Sequence, residues 1–391
     1  MITVYPLGTT IYDPERCQNG YTIFGFPYEP ETPLIDMNGN IANKWDVRGI
    51  RARLLENGNL LAVERKGGEK NTVKELDWEG RLVWEYGPST GAAHHDVVRL
   101  GNGNTLVLCK EPVPEEYRKR VKDPVRRSVL RILGDLILEV TPDKETVWEW
   151  HSYEHIDINQ CCKVCNPGDW THTNTVQALP ENRHYDAGDV RFRPGNILLS
   201  PRNLSFIFIV DRDTKEIVWE YVGKYAGGLA GQHEPHMIEK GLPGEGNIII
   251  FDNGAPPMRA IAHTGKSYIL EIDPVTQGLV WKCENGEKFY SAFRSNVQRL
   301  PNGNTLICES EGPRVFEVTH EGEIVWEYAI EWQRIVGRSY RYPYDYCPQL
   351  AALGKPEEKS IRPPAHARVF AQDQQAYLTL RGYQQSDGRS K

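Results

Sequence analysis

Six stretches of the chain end alike: NKWDV around Trp45, LVWEY around Trp84, TVWEW around Trp148, IVWEY around Trp219, LVWKC around Trp281 and IVWEY around Trp326. A polar turn precedes each, and a short apolar run such as LILEV (136–140) or YILEI (268–272) precedes the turn. Further upstream lies a second turn: QNG (18–20), ENGN (56–59), GNGN (101–104), PGN (194–196), GEGN (244–247) and PNGN (301–304). Each unit therefore reads strand A, Asn-Gly turn, strand B, loop, strand C, polar turn, strand D. Asn-Gly between alternating strands suggests type I′ hairpins. Four antiparallel strands repeated six times give an all-β, six-bladed propeller, with the repeated tryptophan packing between blades. The blades fall at 3–47, 50–87, 94–150, 172–222, 233–283 and 293–330, so the propeller spans 1–330. The aromatic-rich segment 331–391 is expected to be an extension packing on it.

Composition agrees with this architecture. The 391 residues include 35 Gly, 26 Pro, 10 Trp and 19 Tyr, a turn-rich and aromatic β composition. A net charge of −7 argues against a nucleic-acid partner. The sequence holds no run of 18 apolar residues, so no membrane helix is expected. MITVYPLGTTIYDPE lacks the basic and apolar regions of a secretory signal, which points to the cytoplasm. Eight cysteines are too few for a disulfide scaffold, and Cys109, Cys283 and Cys308 read as buried thiols.

Two insertions interrupt the period. Residues 111–134 carry seven Lys or Arg between Arg118 and Arg131, either a solvated basic face or a lid that attracts an anion. Residues 151–171 contain His151, His155, Cys161, Cys162 and Cys165. With His172 they raise the possibility of a zinc site, although one CxxC pair is a weak signal and no metal is assigned.

The start of strand A lines one mouth of a propeller's central channel. At that phase the chain places His94, His95 and Asp96, then His172 and Asn174, then His233 and His236, then Tyr290, Arg294, Ser295 and Asn296. Five of the 11 histidines thus share one point of the repeat. Structural histidines would scatter. Imidazoles gathered in one place suit nucleophilic, acid–base or ligand chemistry near neutral pH.

The stretches HHDVVRLGNGN, DWTHTNTV, NILLSPRNLSFIFIVDRDTKEIVW, GQHEPHMI and VQRLPNGNTLICESEGPRVFEVTHEGEIVWEY together resemble the arylsulfotransferase family over most of residues 20–346. The resemblance implies a propeller enzyme that moves a sulfuryl group from an aryl sulfate to a phenol through a sulfated histidine, without a cofactor. By motif, His233 matches the nucleophile, His172 and Asn174 a sulfate-binding pair, Arg202 the arginine that holds sulfate oxygens, and His95 a further catalytic histidine. His94, His236, Tyr290, Ser295 and Asn296 complete the expected substrate-binding set, and Trp170 and Tyr290 are candidates for stacking on the aryl ring. The expected partner is a small aromatic or anionic substrate. A lyase or hydrolase using His172, Tyr290 and Arg202 on the same scaffold is the alternative, with metal assistance if the cysteine-rich insertion binds one.

Overall fold

The computed structural model describes residues 7–67, 70–160, 166–255, 265–331 and 334–362. They form six antiparallel sheets, five of four strands and one of five, arranged as a six-bladed β-propeller. The innermost strands are Arg338–Tyr342, Gly49–Leu54, Ala92–Arg99, Thr173–Ala178, His233–Met237 and Asn296–Arg299 for blades 1 to 6. They pack against one another around the axis. Six hydrophobic clusters hold the core, and each joins two neighbouring blades.

The repeated tryptophan does more than fill those seams. Each indole N–H donates to a backbone carbonyl in the strand C–D turn of the next blade, at 2.7–2.8 Å: Trp45 to Asp77, Trp84 to Pro142, Trp148 to Arg212, Trp219 to Pro274, Trp281 to His320 and Trp326 to Met37. The last of these bonds joins blade 6 to blade 1. The indole thus buries a large apolar face and satisfies its polar edge with one contact. A second set of ties involves the Asn-Gly turns. Asn59, Asn104, Asn247 and Asn304 donate to Glu75, Glu139, Glu271 and Glu317 on strand C. Arg99, Arg212, Arg299 and Arg341 from the following blade reach the same four carboxylates.

Three expectations change. The turns are not type I′. In ENGN the Gly58 N–H donates to Leu55 O and only the glycine has positive φ (82°), so a type I turn closes on a left-handed glycine and gives a three-residue loop. The ends of the propeller also move. Gly8–Tyr12 is not the first strand of blade 1; it pairs with Ile324–Ala329 as the outer fifth strand of blade 6. The inner strand of blade 1 is Arg338–Tyr342 from the C-terminal segment, paired with Tyr21–Gly25. Blades 1 and 6 are thereby stitched by strands from opposite ends of the chain. Beyond that strand, Cys347 and Leu350 enter the cluster between blades 1 and 2.

The first insertion folds into two short helices, Glu115–Arg118 and Pro124–Ser128, the second capped by Asp123. Val113, Val121 and Ile132 join Ile156, Ile158 and Trp170 of the second insertion in the cluster between blades 3 and 4. Arg126 is buried and donates to Ile158 O at 2.6 Å. The two insertions brace each other.

Charged groups fill the middle of the channel. Asp96 and Glu234 meet Arg51, Arg53 and Arg338, all from inner strands of blades 1, 2, 3 and 5. Arg51 contacts both carboxylates, Arg53 lies 3.0 Å from Glu234, and Arg338 also bridges both. The Val97 and Val176 N–H groups donate to Asp96 at 2.7 and 2.9 Å, and Tyr340 donates to Glu234 at 2.8 Å. Removing one partner from such a cluster leaves buried charge uncompensated. Asp96→Asn is expected to destabilise the protein by about 3–5 kcal/mol, read as a lower urea midpoint with an unchanged slope.

Candidate active site

Every inner strand from blade 2 to blade 5 is irregular near its start. The pairing register slips between Gly49 and Arg51, Ala93 and Val97, Thr173 and Val176, and His233 and His236. Left-handed backbone at non-glycine residues recurs at the same place in successive blades: His95 (φ 56°), His172 (52°), Glu234 (48°), then Arg294 (58°) and Ser295 (75°). Such residues cost on the order of 1–3 kcal/mol each. Bulges re-aim side chains next to functional sites, and here they turn consecutive residues of one strand toward different parts of the channel.

His94, His95 and His172 come together. Their ring centroids are 4.9 Å (His94–His95), 4.8 Å (His95–His172) and 6.3 Å (His94–His172) apart. His233 lies near enough to act electrostatically on His95 and His172. Hydrogen bonds define which nitrogen carries the proton in each ring. His233 Nδ1 sits 2.8 Å from Asn253 Oδ1 and 2.9 Å from Gly231 O. The Asn253 amide cannot be reversed, because its Nδ2 donates to Ser291 O and Arg294 O. Both neighbours of His233 Nδ1 are acceptors, so Nδ1 is protonated and Nε2 keeps the lone pair. His94 Nε2 lies 3.2 Å from Asp135 Oδ1, and the two Nδ1 atoms of His94 and His95 are 2.7 Å apart. With its proton toward Asp135, His94 accepts from His95 Nδ1–H, and His95 Nε2 is left unprotonated. His172 Nδ1–H donates to Asp169, whose other oxygen takes Lys110 Nζ at 2.6 Å. Three imidazoles therefore offer an unprotonated Nε2.

Burial keeps these rings neutral. It pushes His94 down to about 4 against the pull of Asp135. It holds His95 well below the usual histidine value, helped by His172, His94 and Lys110. His233 is likewise lowered by burial and by Arg202, and His172 by burial and Lys110, with Asp169 opposing. Burial also lowers the Arg202 guanidinium, which donates to Asn203 Oδ1 at 2.9 Å and lies 5.0 Å from the Phe293 ring centroid. Phe293 is 48% exposed, an open aromatic beside a half-buried cation.

Other expected site residues have other surroundings. His236 lies past the bulge and lines the channel cavity at the opposite end from the other histidines. Asp96 belongs to the axial ion cluster. Asn174 is fully buried and donates to Gln232 O. Asn296 exchanges two hydrogen bonds with the Ser339 backbone of the closing strand, and Ser295 bonds Ser310 reciprocally. Tyr290 is half-buried, its N–H donating to Glu309. Trp170 is core, donating to Gln160 O, so it is not a stacking surface. His151 bonds Glu111 and His155 stacks on Trp150. Cys161, Cys162 and Cys165 lie outside the described residues, among which no cluster of three or more His, Cys, Asp or Glu side chains is arranged to hold a metal.

Lys110, Asp135, Asp169, Asn253 and Phe293 are absent from the sequence-derived set. A signal for two of them exists: strand B ends where antiparallel strand A begins, and Lys110 and Asn253 occupy that end, as Arg202 nearly does. Asp135 stands out in another way, as a charge within the apolar run LGDLILEV.

Lowered imidazoles carry a pH signature. The unfolded chain binds more protons than the native state between the native values and about 6.5. Stability is therefore full above about pH 6.5 and falls on acidification toward pH 4, by up to about 1.4 kcal/mol per pH unit for each histidine. Urea unfolding at pH 7, 5.5 and 4.5 should show this loss, and His94→Gln should flatten it.

No curated protein matches this chain in sequence. Among solved structures, a protein of unknown function from Bacteroides caccae superposes with a TM-score of 0.52 at 13% identity, covering 82% of this chain and 98% of that one. A streptogramin B lyase gives 0.45 at 13% identity, with 83% of each chain covered. A virginiamycin B lyase variant from Staphylococcus aureus with quinupristin gives 0.38 at 13%, covering 72% and 69%. These likenesses concern the fold. No helix among the described residues is long and apolar enough to cross a membrane. The family model for arylsulfotransferase (ASST) matches residues 51–331, five of the six blades with all four converging histidines and Arg202, and the chain belongs to that family.

Proposed function

We propose that the protein transfers a sulfuryl group from an aryl sulfate to a phenolic acceptor, with His233 as nucleophile. The observation that carries this reading is the fixed tautomer of His233: Asn253 and Gly231 hold the Nδ1 proton, so a neutral, buried Nε2 is ready to attack. In the first half-reaction Nε2 forms a bond to sulfur, the sulfur–oxygen bond to the aryl group breaks, and the leaving phenolate takes a proton from the acid form of His95. His95 Nε2 takes that proton from solvent as the donor binds, because the sulfate charge beside it offsets the burial that otherwise keeps the ring neutral. In the second, His95 Nε2 takes the acceptor phenol's proton, the phenolate oxygen attacks sulfur, and the bond from sulfur to His233 breaks. The protons balance over the two steps, and one difficult displacement is divided into two.

Arg202 supplies fixed positive charge for the sulfuryl oxygens. Lys110 adds charge beside His172, where Asp169 keeps the ring oriented. Phe293, stacked near Arg202, offers a face for the aryl ring. Asp135 acts through His94 to orient the His95 ring, so that Nε2 is the nitrogen that gives and takes the proton, a positioning role.

With 4-nitrophenyl sulfate as donor and phenol as acceptor, wild type should release nitrophenol in a burst and carry an acid-labile sulfate on His233. His233→Ala should fold and lose both, and undiminished transfer by that variant would exclude the assignment. Arg202→Ala should lower the rate by about 10²–10³. Nitrophenol release without acceptor sulfation would mark a hydrolase, and an unsaturated, ultraviolet-absorbing product from another substrate would mark a lyase.

A further inference from the structure

The channel is not one space. The ion cluster of Arg51, Arg53, Arg338, Asp96 and Glu234 crosses it, and a cavity of about 580 Å³ opens on the side away from the converging histidines. That volume is typical of small-molecule sites. All six blades line it, at the far ends of their inner strands. Its walls include Leu54, Leu100, Ala178, Leu242 and Pro343, and its polar groups include Arg53 and His236.

The charge on its floor is unbalanced. Three guanidiniums share two carboxylates, a surplus of one positive charge. The other arginines of the lining have their own partners: Arg99 pairs with Glu75, Arg299 with Glu271 and Arg341 with Glu317. Glu56 and Glu239, also in the lining, are exposed, so solvent screens them. The surplus reaches the cavity at Arg53. Its side chain is 37% exposed, against 2% for Arg51 and 4% for Arg338. Arg53 Nε is buried with no hydrogen-bond partner. The Tyr340 ring backs its guanidinium at 4.3 Å and holds it in place. Burial and the neighbouring Arg53 lower the Arg51 guanidinium, whereas Tyr340 and Glu234 raise that of Arg53 against its burial and keep it charged. Nearby, His236 Nδ1 donates to Glu234 O at 3.1 Å, so its Nε2 is an acceptor, available to a hydroxyl or N–H of a ligand and not to its carboxylate. Glu234 takes one edge of the Arg53 guanidinium, and the exposed remainder can pair with an anion in the cavity.

We propose that this cavity is a second ligand site, for a small organic acid whose carboxylate meets Arg53 beside His236 and whose apolar body lies against Leu54, Leu100 and Leu242. It is separate from the transfer chemistry and does not depend on it.

The probe is 4-bromobenzoate. Bromine anomalous scattering from soaked crystals should place the halogen in this cavity with the carboxylate on Arg53. Titration calorimetry should give at least tenfold weaker binding for Arg53→Met and for the cavity-filling Ala178→Phe, and unchanged binding for His233→Ala. Arg53→Met is expected to fold, since Glu234 keeps Arg51 and Arg338, and Ala178→Phe tests the same point with the charges intact. Absence of binding, bromine only at the histidine end, or equal affinity in both cavity variants would overturn the proposal.

Discussion

Six indole N–H groups hold this ring shut. Each tryptophan at the end of a blade reaches a carbonyl in the next blade, and the sixth bond returns to the first blade. The bonds of Trp219 and Trp326 are buried and so shielded from competing water, while that of Trp84 is exposed. Blade spacing is then fixed from outside, and the inner strands must converge on one axis. Everything at the axis follows from that convergence, including the gathering of histidines that lie far apart along the chain.

Convergence also has a cost. Six inner strands crowd their side chains toward one line, and here many are polar or charged. The ion cluster answers this by cross-linking four blades with guanidinium–carboxylate contacts. It engages the closing strand through Arg338, so ring closure and the floor of the histidine site share one residue. The same cluster divides the channel. Neutral imidazoles face one end, and a cavity whose floor is rich in guanidinium faces the other. Glu234 belongs to the cluster and directly follows His233, so the bulge between His233 and His236 sends neighbouring side chains to the histidine site, the cluster and the cavity in turn.

Within the histidine site, the arrangement of second partners matters as much as the rings. Asn253, Asp135 and Asp169 each take one imidazole proton, directly or through His94. Each ring then has a defined tautomer at neutral pH, and burial removes the competing imidazolium. The left-handed backbone at His95 and His172 is retained in a position where it aims these rings, which is where strain is expected to persist.

The repeat is legible in the sequence because its signals are local: a turn glycine, an alternating strand and a tryptophan at a fixed offset depend only on near neighbours. The fold class, the phase at which polar residues gather, and the identities of His95, His172, His233 and Arg202 as candidates could all be read there. Other features needed three dimensions. The closing strand Arg338–Tyr342 lacks the repeat's marks, and only pairing with Tyr21–Gly25 reveals it. The fate of Asp96, Asn174 and His236 turned on bulges, since added residues in a strand re-aim the side chains around them, and that of Asn296 on its bonds to the closing strand. Lys110, Asp135, Asp169 and Asn253 come from strand ends and loops whose nearness to the histidines exists only after folding. Sequence determined what repeats, because repetition is written in local chemistry. Tertiary structure decided what meets at the axis, because that depends on register and ring closure, which no short stretch encodes.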